Sequence, residues 1–214
     1  ITPNLSANFI IITLPTPVDK YKKPDLKNIK NLCRVIGKNI KKLCDKPLLA
    51  HSIDIAKSID VSNPLLLQSM YIFKQPNIGG EVVCHQDSTF LYTEPESAVG
   101  FWIALEDATI ENGCLQVASG GHKDPLRKLF KRENGKMIMK ELNSKPFPKT
   151  DTILEVKKGT LVLLHGRLPH YSCENKSSNS RHAYTIHVIE GNSNYPNYNW
   201  LQRNNLPLRG FLSE

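Results

Sequence analysis

The chain has 214 residues, of which 40% are hydrophobic and 22% charged, and a formal net charge of +8; this suits one sizeable core. Its longest apolar runs, at 9–12 and 161–164, are too short to cross a bilayer as a helix, and no nucleic-acid-binding module accompanies the basic residues. Five cysteines without a Cys-x-x-Cys pair argue against a disulfide framework. The expectation is therefore a cytoplasmic monomer with reduced thiols that binds neither membrane nor nucleic acid. Its positive charge, concentrated between Lys20 and Lys46, reads first as a lysine-rich solvated surface, with attraction of an anionic small-molecule substrate as the functional alternative.

Residues 1–25 contain Pro3, Pro15, Pro17 and Pro24 and predict an irregular N-terminal segment. From Leu26 to Leu43 the apolar positions Ile29, Leu32, Cys33, Ile36, Ile40 and Leu43 recur at three- and four-residue steps, the pattern of an amphipathic helix. A second short helix is expected over 48–58. From residue 65 the texture changes. Strands are expected over 65–73, 82–89, 98–105, 114–117, 152–156, 160–165, 171–174 and 181–190, with turns at Asn112-Gly113 and Lys158-Gly159. The polar, lysine-rich stretch 119–150 reads as an insertion with one short helix near 126–132. Many short strands separated by turns indicate a mainly β sandwich or barrel rather than a parallel sheet. The expected layout is a single domain over 26–214, with flanking N-terminal helices at 26–58 and a β core at 65–190.

Within that core, His85-Gln86-Asp87 places an imidazole and a carboxylate at i and i+2, on one face of an extended strand. A carboxylate on a buried strand face needs a cation or strong donors, because burying it unpaired costs several kcal/mol. A second imidazole from a distant strand would complete two histidines and one carboxylate with coordination positions left open, the donor set of a non-haem Fe(II) oxygenase. The competing reading of His-x-Asp is a solvated strand face. His165 and His170 are the candidates for the third ligand. His170 opens the hairpin whose return strand begins with Arg181, while His165 ends a strand before a glycine and reads as structural. His51 falls on an expected outer helix and His122 in a glycine-flanked loop. His182 has the wrong parity relative to Arg181, and His187 reads as a satisfied core histidine. Cys84 and Cys173 sit at odd offsets from the ligands and read as packing residues. The Arg181 guanidinium is a rigid fork for the carboxylate of a small organic acid; the competing reading is a surface ion pair with Glu174, worth about 0–1 kcal/mol. Ser172 shares the face of His170.

Several stretches resemble the phytanoyl-CoA dioxygenase family. They are 68–76, Gly79-Gly80-Glu81 through His85-Gln86-Asp87, 90–95, Trp102-Ile103-Ala104, Glu106-Asp107-Ala108, 111–115, His165-Gly166, His170, Arg181 and 199–202. The resemblance covers about the C-terminal two-thirds of the chain. It implies a double-stranded β-helix, that is, a cupin-like jelly-roll, with Fe(II) held by His85, Asp87 and His170. It also implies 2-oxoglutarate as cosubstrate in contact with Met70, Gln86, Trp102, Ser172 and Arg181, and O2 as oxidant. Met70 and Trp102 enter through the resemblance alone. The implied reaction hydroxylates a C–H bond of a small molecule while 2-oxoglutarate is decarboxylated to succinate and CO2. The chain departs from the family pattern at the start: the lysine expected before Ile36-Gly37 is replaced by Val35, with Arg34 and Lys38 flanking. Two rival classes share the same residues. A cupin-like hydrolase or isomerase would use Zn(II), and a binding protein would keep a vestigial metal site and do no chemistry.

Overall fold

The computed structural model describes residues 10–11, 56–57, 59–202 and 208–210. The helices expected over 26–43 and 48–58 lie outside the described residues, apart from Ala56-Lys57, which are helical. Ile10–Ile11, in the segment expected to be irregular, is a short strand (β1). It runs parallel to β2 (Pro64–Lys74), beside Ser69 and Met70.

Two sheets, antiparallel apart from the β1–β2 pair, make a jelly-roll sandwich. The larger has the order β1, β2, β11 (Arg181–Glu190), β4 (Val99–Ala104) and β9 (Leu161–His165), with β12 (Arg209–Gly210) pairing on β2. The smaller has the order β3 (Val82–His85), β10 (His170–Ser172), β5 (Leu115–Val117) and β8 (Thr152–Leu154). β11 is central, hydrogen-bonded to β2 on one side and β4 on the other. Its alternation therefore decides what faces the interior. Trp102, Ala104, Leu164 and Ala183 of the large sheet meet Leu115 and Val117 of the small one, with Ala108 and Cys114 from the segment before β5. The opposite face of the large sheet is buried too, with Tyr71, Phe73, Phe101, Ile103, Tyr184, Ile186 and Val188 packed with Ala56 and Val61. Both faces of these strands are thus apolar, which explains their near-continuous hydrophobic runs.

The expected strands are present, β11 over its expected span and the others with at least one end displaced by a residue or more, and two differences are structural. The helix expected near 126–132 is instead strand β6 (Lys128–Glu133), which forms a hairpin with β7 (Lys136–Glu141). The turn is Asn134-Gly135, with both residues at positive φ, so local turn chemistry outweighs the spacing of the apolar residues. The strand expected over 82–89 stops at His85, and Asp87–Thr89 is a 3-10 turn. Gln86 remains extended at φ −116 and ψ 132. His85 and Asp87 therefore keep the same facing although the strand has ended.

Candidate metal centre

β10 lies between β3 and β5, and its register puts His170 directly opposite His85. A register shift follows at once, with Ser172 opposite Val82. The two imidazole rings stand with centroids 4.3 Å apart. Asp87 Oδ1 lies 3.5 Å from His85 Nε2 and 3.7 Å from His170 Nε2, and one donor atom from each residue falls within 4.8 Å of the others. Among the described residues this is the one group of three such side chains. His170 Nδ1 lies 3.0 Å from the Leu168 carbonyl and His85 Nδ1 2.8 Å from that of Val83. If each Nδ1 carries its proton, both Nε2 lone pairs face the carboxylate. The Asp87 and His170 side chains are 8% and 7% exposed and that of His85 24%, so the cluster is reached from the His85 side.

The electrostatics favour a cation. Burial alone would raise the Asp87 carboxyl, but the charges of His187 and His170 and hydrogen bonds from His187 and His85 hold it well below the usual range. Burial pushes His170 down, towards the neutral ligand form. Burial also works against protonation of His85, yet the hydrogen bond and charge of Asp87 raise it overall. A cation between the three atoms would satisfy a buried anion and two neutral donors together.

The remaining histidines sort by contact. His165 is exposed, accepts from the Arg167 amide at 3.0 Å, and faces His122 at 5.5 Å between ring centroids; neither belongs to the cluster. His182 packs edge-on against Tyr71 and Phe73 on the other face of β11. His51 lies outside the described residues. His187 is buried and satisfied, as expected of a core histidine, but what satisfies it belongs to the site. Its Nε2 is 3.2 Å from Asp87 Oδ2, and its Nδ1 meets Gln68 Nε2 at 3.2 Å. With the Gln68 amide placed to donate to Nδ1, the matching tautomer carries its proton on Nε2, facing the carboxylate. β2 carries an extra residue at this point, shifting the register between His187 and Val188. Gly100 leaves the room required: a Cβ there would sit 3.1 Å from Asp87 Oδ2.

Arg181 does not pair with Glu174, which instead bonds to Lys176 at 2.8 Å on the surface. It is 1% exposed, donates from Nη2 to the Gly113 carbonyl at 3.0 Å, and stands 5.5 Å over the Trp102 ring. Its Nε and Nη1 are buried without a hydrogen-bond partner. Burial holds the guanidinium down to about 10. Directly across the ladder is Lys74, also 1% exposed. Its Nζ donates to the carbonyls of Gly80 (2.5 Å), Cys173 (2.5 Å) and Ser172 (3.4 Å), and burial and the Arg181 charge lower it to about 8. Neither cation forms an ion pair among the described residues. Arg181, with two unused donors beside a second buried cation, makes a place for an anion. The sequence reading missed Lys74, because a lysine ending an apolar strand looks like a solvated strand end. Its signal was the pair of glycine sites that make room for it: a Cβ on Gly79 or Gly113 would meet Lys74 below 3.0 Å.

Ser172 is buried on β10, two residues from His170. Met70 and Trp102 flank Thr185 of β11, one on each neighbouring strand, in a row across the interior. Gln86 is fully buried with both amide ends engaged, Nε2 donating to the Arg167 carbonyl at 2.7 Å and Oε1 accepting from the Arg127 amide at 2.9 Å. In this arrangement it clamps two loops beside the cluster. The β6–β7 hairpin reaches the same place, with Phe130 against Phe90 and Phe90 against His85.

Comparison with known proteins bears on this geometry. The family described as phytanoyl-CoA dioxygenase (PhyH) matches residues 16–183. The chain is 47% identical over 156 residues to a phytanoyl-CoA dioxygenase of Arabidopsis thaliana, covering 72% of this chain and 54% of that protein. It is 46% identical over 155 residues to phytanoyl-CoA dioxygenase domain-containing protein 1 of Danio rerio, covering 70% and 53%. The chain thus spans about half the length of the curated relatives it matches. In fold it is similar to EvdO2 of Micromonospora carbonacea var. aurantiaca complexed with 2-oxoglutarate (TM-score 0.58, 21% identity, 78% of this chain and 70% of that one). It is also similar to the epimerase SnoN in complex with Fe3+, alpha ketoglutarate and nogalamycin RO (TM-score 0.57, 18% identity, 76% and 63%).

Proposed function

The chain belongs to the phytanoyl-CoA dioxygenase family, and from that premise we propose that it is an Fe(II)- and 2-oxoglutarate-dependent dioxygenase that hydroxylates a C–H bond of a small-molecule substrate. The observation that carries this reading is the coexistence, inside one sandwich, of the His85–Asp87–His170 cluster and an Arg181 guanidinium with unpartnered buried nitrogens. A zinc hydrolase has use for the first but not for the second.

The donor set fits Fe(II): two imidazole nitrogens and one ionised carboxylate, with donor atoms within 4.8 Å of one another, would hold the metal and supply only three ligands to it. When bound there, the metal supplies the redox chemistry by which O2 and 2-oxoglutarate yield succinate, CO2 and a hydroxylated product. The residues of the chain supply the rest. Asp87 provides charge through Oδ1 while His187 lies against Oδ2. Arg181 binds the far carboxylate of 2-oxoglutarate, and Trp102, stacked under the guanidinium, keeps water from it. Met70 and Ser172 complete the lining around the cosubstrate, and Gln86 holds together the loops at Arg127 and Arg167 beside the metal cluster. Residues 26–214 form the single catalytic domain in this reading, acting as a cytoplasmic monomer on an anionic substrate. No helix among the described residues is long and apolar enough to cross a membrane, and the described cysteines Cys84, Cys114 and Cys173 are free.

Equilibrium dialysis under nitrogen tests the reading. One Fe(II) per chain is expected, lost in Asp87→Ala, with 2-oxoglutarate retained only when metal is present. Metal binding unaffected by Asp87→Ala would refute the ligand assignment.

A further inference from the structure

The inward face of β11 carries, in order, Arg181, Ala183, Thr185 and His187. The two ends of this row have roles in the proposed function: Arg181 takes the carboxylate and His187 rests on the ligand Asp87. Thr185 lies between them and is 3% exposed. Its Oγ1 is buried and has no hydrogen-bond partner. A buried hydroxyl is normally satisfied, because leaving one unpaired forfeits its bonds to water. Thr185 stands opposite Trp102 on β4 and Met70 on β2, and Trp102 is the ring over which the Arg181 guanidinium packs. The hydroxyl and the unpartnered Arg181 nitrogens therefore belong to one region of the interior. Ala183, fully buried, contributes almost no side-chain volume to the same face.

We propose that Thr185 Oγ1 is a further donor of the cosubstrate pocket, giving a hydrogen bond to the distal carboxylate of 2-oxoglutarate beside the Arg181 guanidinium. This rests on the function proposed above and adds a binding residue to it. The step is binding alone: an O–H donates to a carboxylate oxygen, and no bond is made or broken. The hydroxyl adds a preference for dicarboxylates, because 2-oxoglutarate presents a distal carboxylate to it and a monocarboxylic 2-oxo acid presents none.

The test is the dissociation constant of 2-oxoglutarate on the Fe(II)-loaded chain under nitrogen, read from the charge-transfer absorbance, for wild type, Thr185→Val and Thr185→Ser. Valine matches threonine in shape, so packing is preserved while the donor is lost. The expected result is a Kd about 10- to 100-fold higher in Thr185→Val, largely restored in Thr185→Ser. Binding of 2-oxovalerate, which lacks the distal carboxylate, should be equal in wild type and Thr185→Val. An unchanged Kd for 2-oxoglutarate in Thr185→Val overturns the inference while leaving the proposed function intact. Equal weakening of 2-oxovalerate also overturns it, since the hydroxyl would then serve the chelating end. Failure of the wild type to bind 2-oxoglutarate would remove the functional reading itself.

Discussion

Replacing Arg181 by methionine should make the ligand-free protein no less stable while removing its affinity for 2-oxoglutarate. Arg181 is 1% exposed and its guanidinium is held down to about 10 by burial. Relative to an ordinary arginine, that represents roughly 3 kcal/mol spent on keeping the charge buried. Against this, the side chain makes one hydrogen bond, to Gly113, worth about 1 kcal/mol. Its stacking over Trp102 is worth about 1 kcal/mol more. Methionine fills a similar volume with no charge to desolvate, so Arg181→Met should be neutral or stabilising by about 1 kcal/mol, in line with replacements of buried charges by apolar side chains elsewhere. The lost charge-assisted contacts should raise the Kd of 2-oxoglutarate by roughly 100-fold or more. Urea unfolding at pH 7 without ligand reads the first effect, and anaerobic titration of the Fe(II)-loaded chain reads the second. A loss of 2 kcal/mol or more in the ligand-free protein would refute the reasoning, because it would mean that the guanidinium already has an internal counter-charge.

Other expectations follow from neighbouring contacts. His187→Leu removes the imidazole 3.2 Å from Asp87 Oδ2 and should weaken Fe(II) binding by about 10- to 100-fold, measured by competition with a chelator; unchanged affinity would show that His187 only fills space. Lys74 is lowered to about 8 in the fold, so between there and its ordinary value the unfolded chain holds a proton that the folded chain has released. Stability must therefore rise with pH across that interval. Urea unfolding should show wild type gaining on Lys74→Met as pH rises from about 8 towards 10, at no more than roughly 1.4 kcal/mol per pH unit, and parallel curves would rule the argument out. Gly113→Ala forces a side chain onto φ +81 and into the Cys173 carbonyl. It should cost about 1–3 kcal/mol of stability and displace the carbonyl that anchors Arg181, so retention of both stability and 2-oxoglutarate affinity would count against the packing described here.

The strands of the sandwich were legible in the sequence because their apolar runs are bounded by turn residues, and β11 was expected over the span it occupies. Parity along β11 placed Arg181 inward and His182 outward, as observed. The His85–Asp87 pairing was also legible, although by a longer route, since it survives through one extended residue after the strand ends. What could not be read is what depends on pairing between distant segments. The β6–β7 hairpin offered an apolar spacing compatible with a helix, and only the Asn134-Gly135 turn decides the outcome. The contact of His187 with Asp87 is set by β11 packing against the loop after β3, and sequence separation carries no sign of it. Lys74 is buried because three carbonyls from two other segments converge on it, a convergence invisible in the strand that contains it. The departure at Ile36-Gly37 falls outside the described residues.

The central claim is that His85, Asp87 and His170 make this chain a 2-oxoglutarate oxygenase. Its most direct test is CO2 release from 2-oxoglutarate labelled at C1, by chain loaded with Fe(II) or with Zn(II), on admitting O2. Release with Fe(II), none with Zn(II) and none with Fe(II) in Asp87→Ala is the predicted result. Equal release from Asp87→Ala, or no release from wild type that has bound both Fe(II) and 2-oxoglutarate, would contradict it.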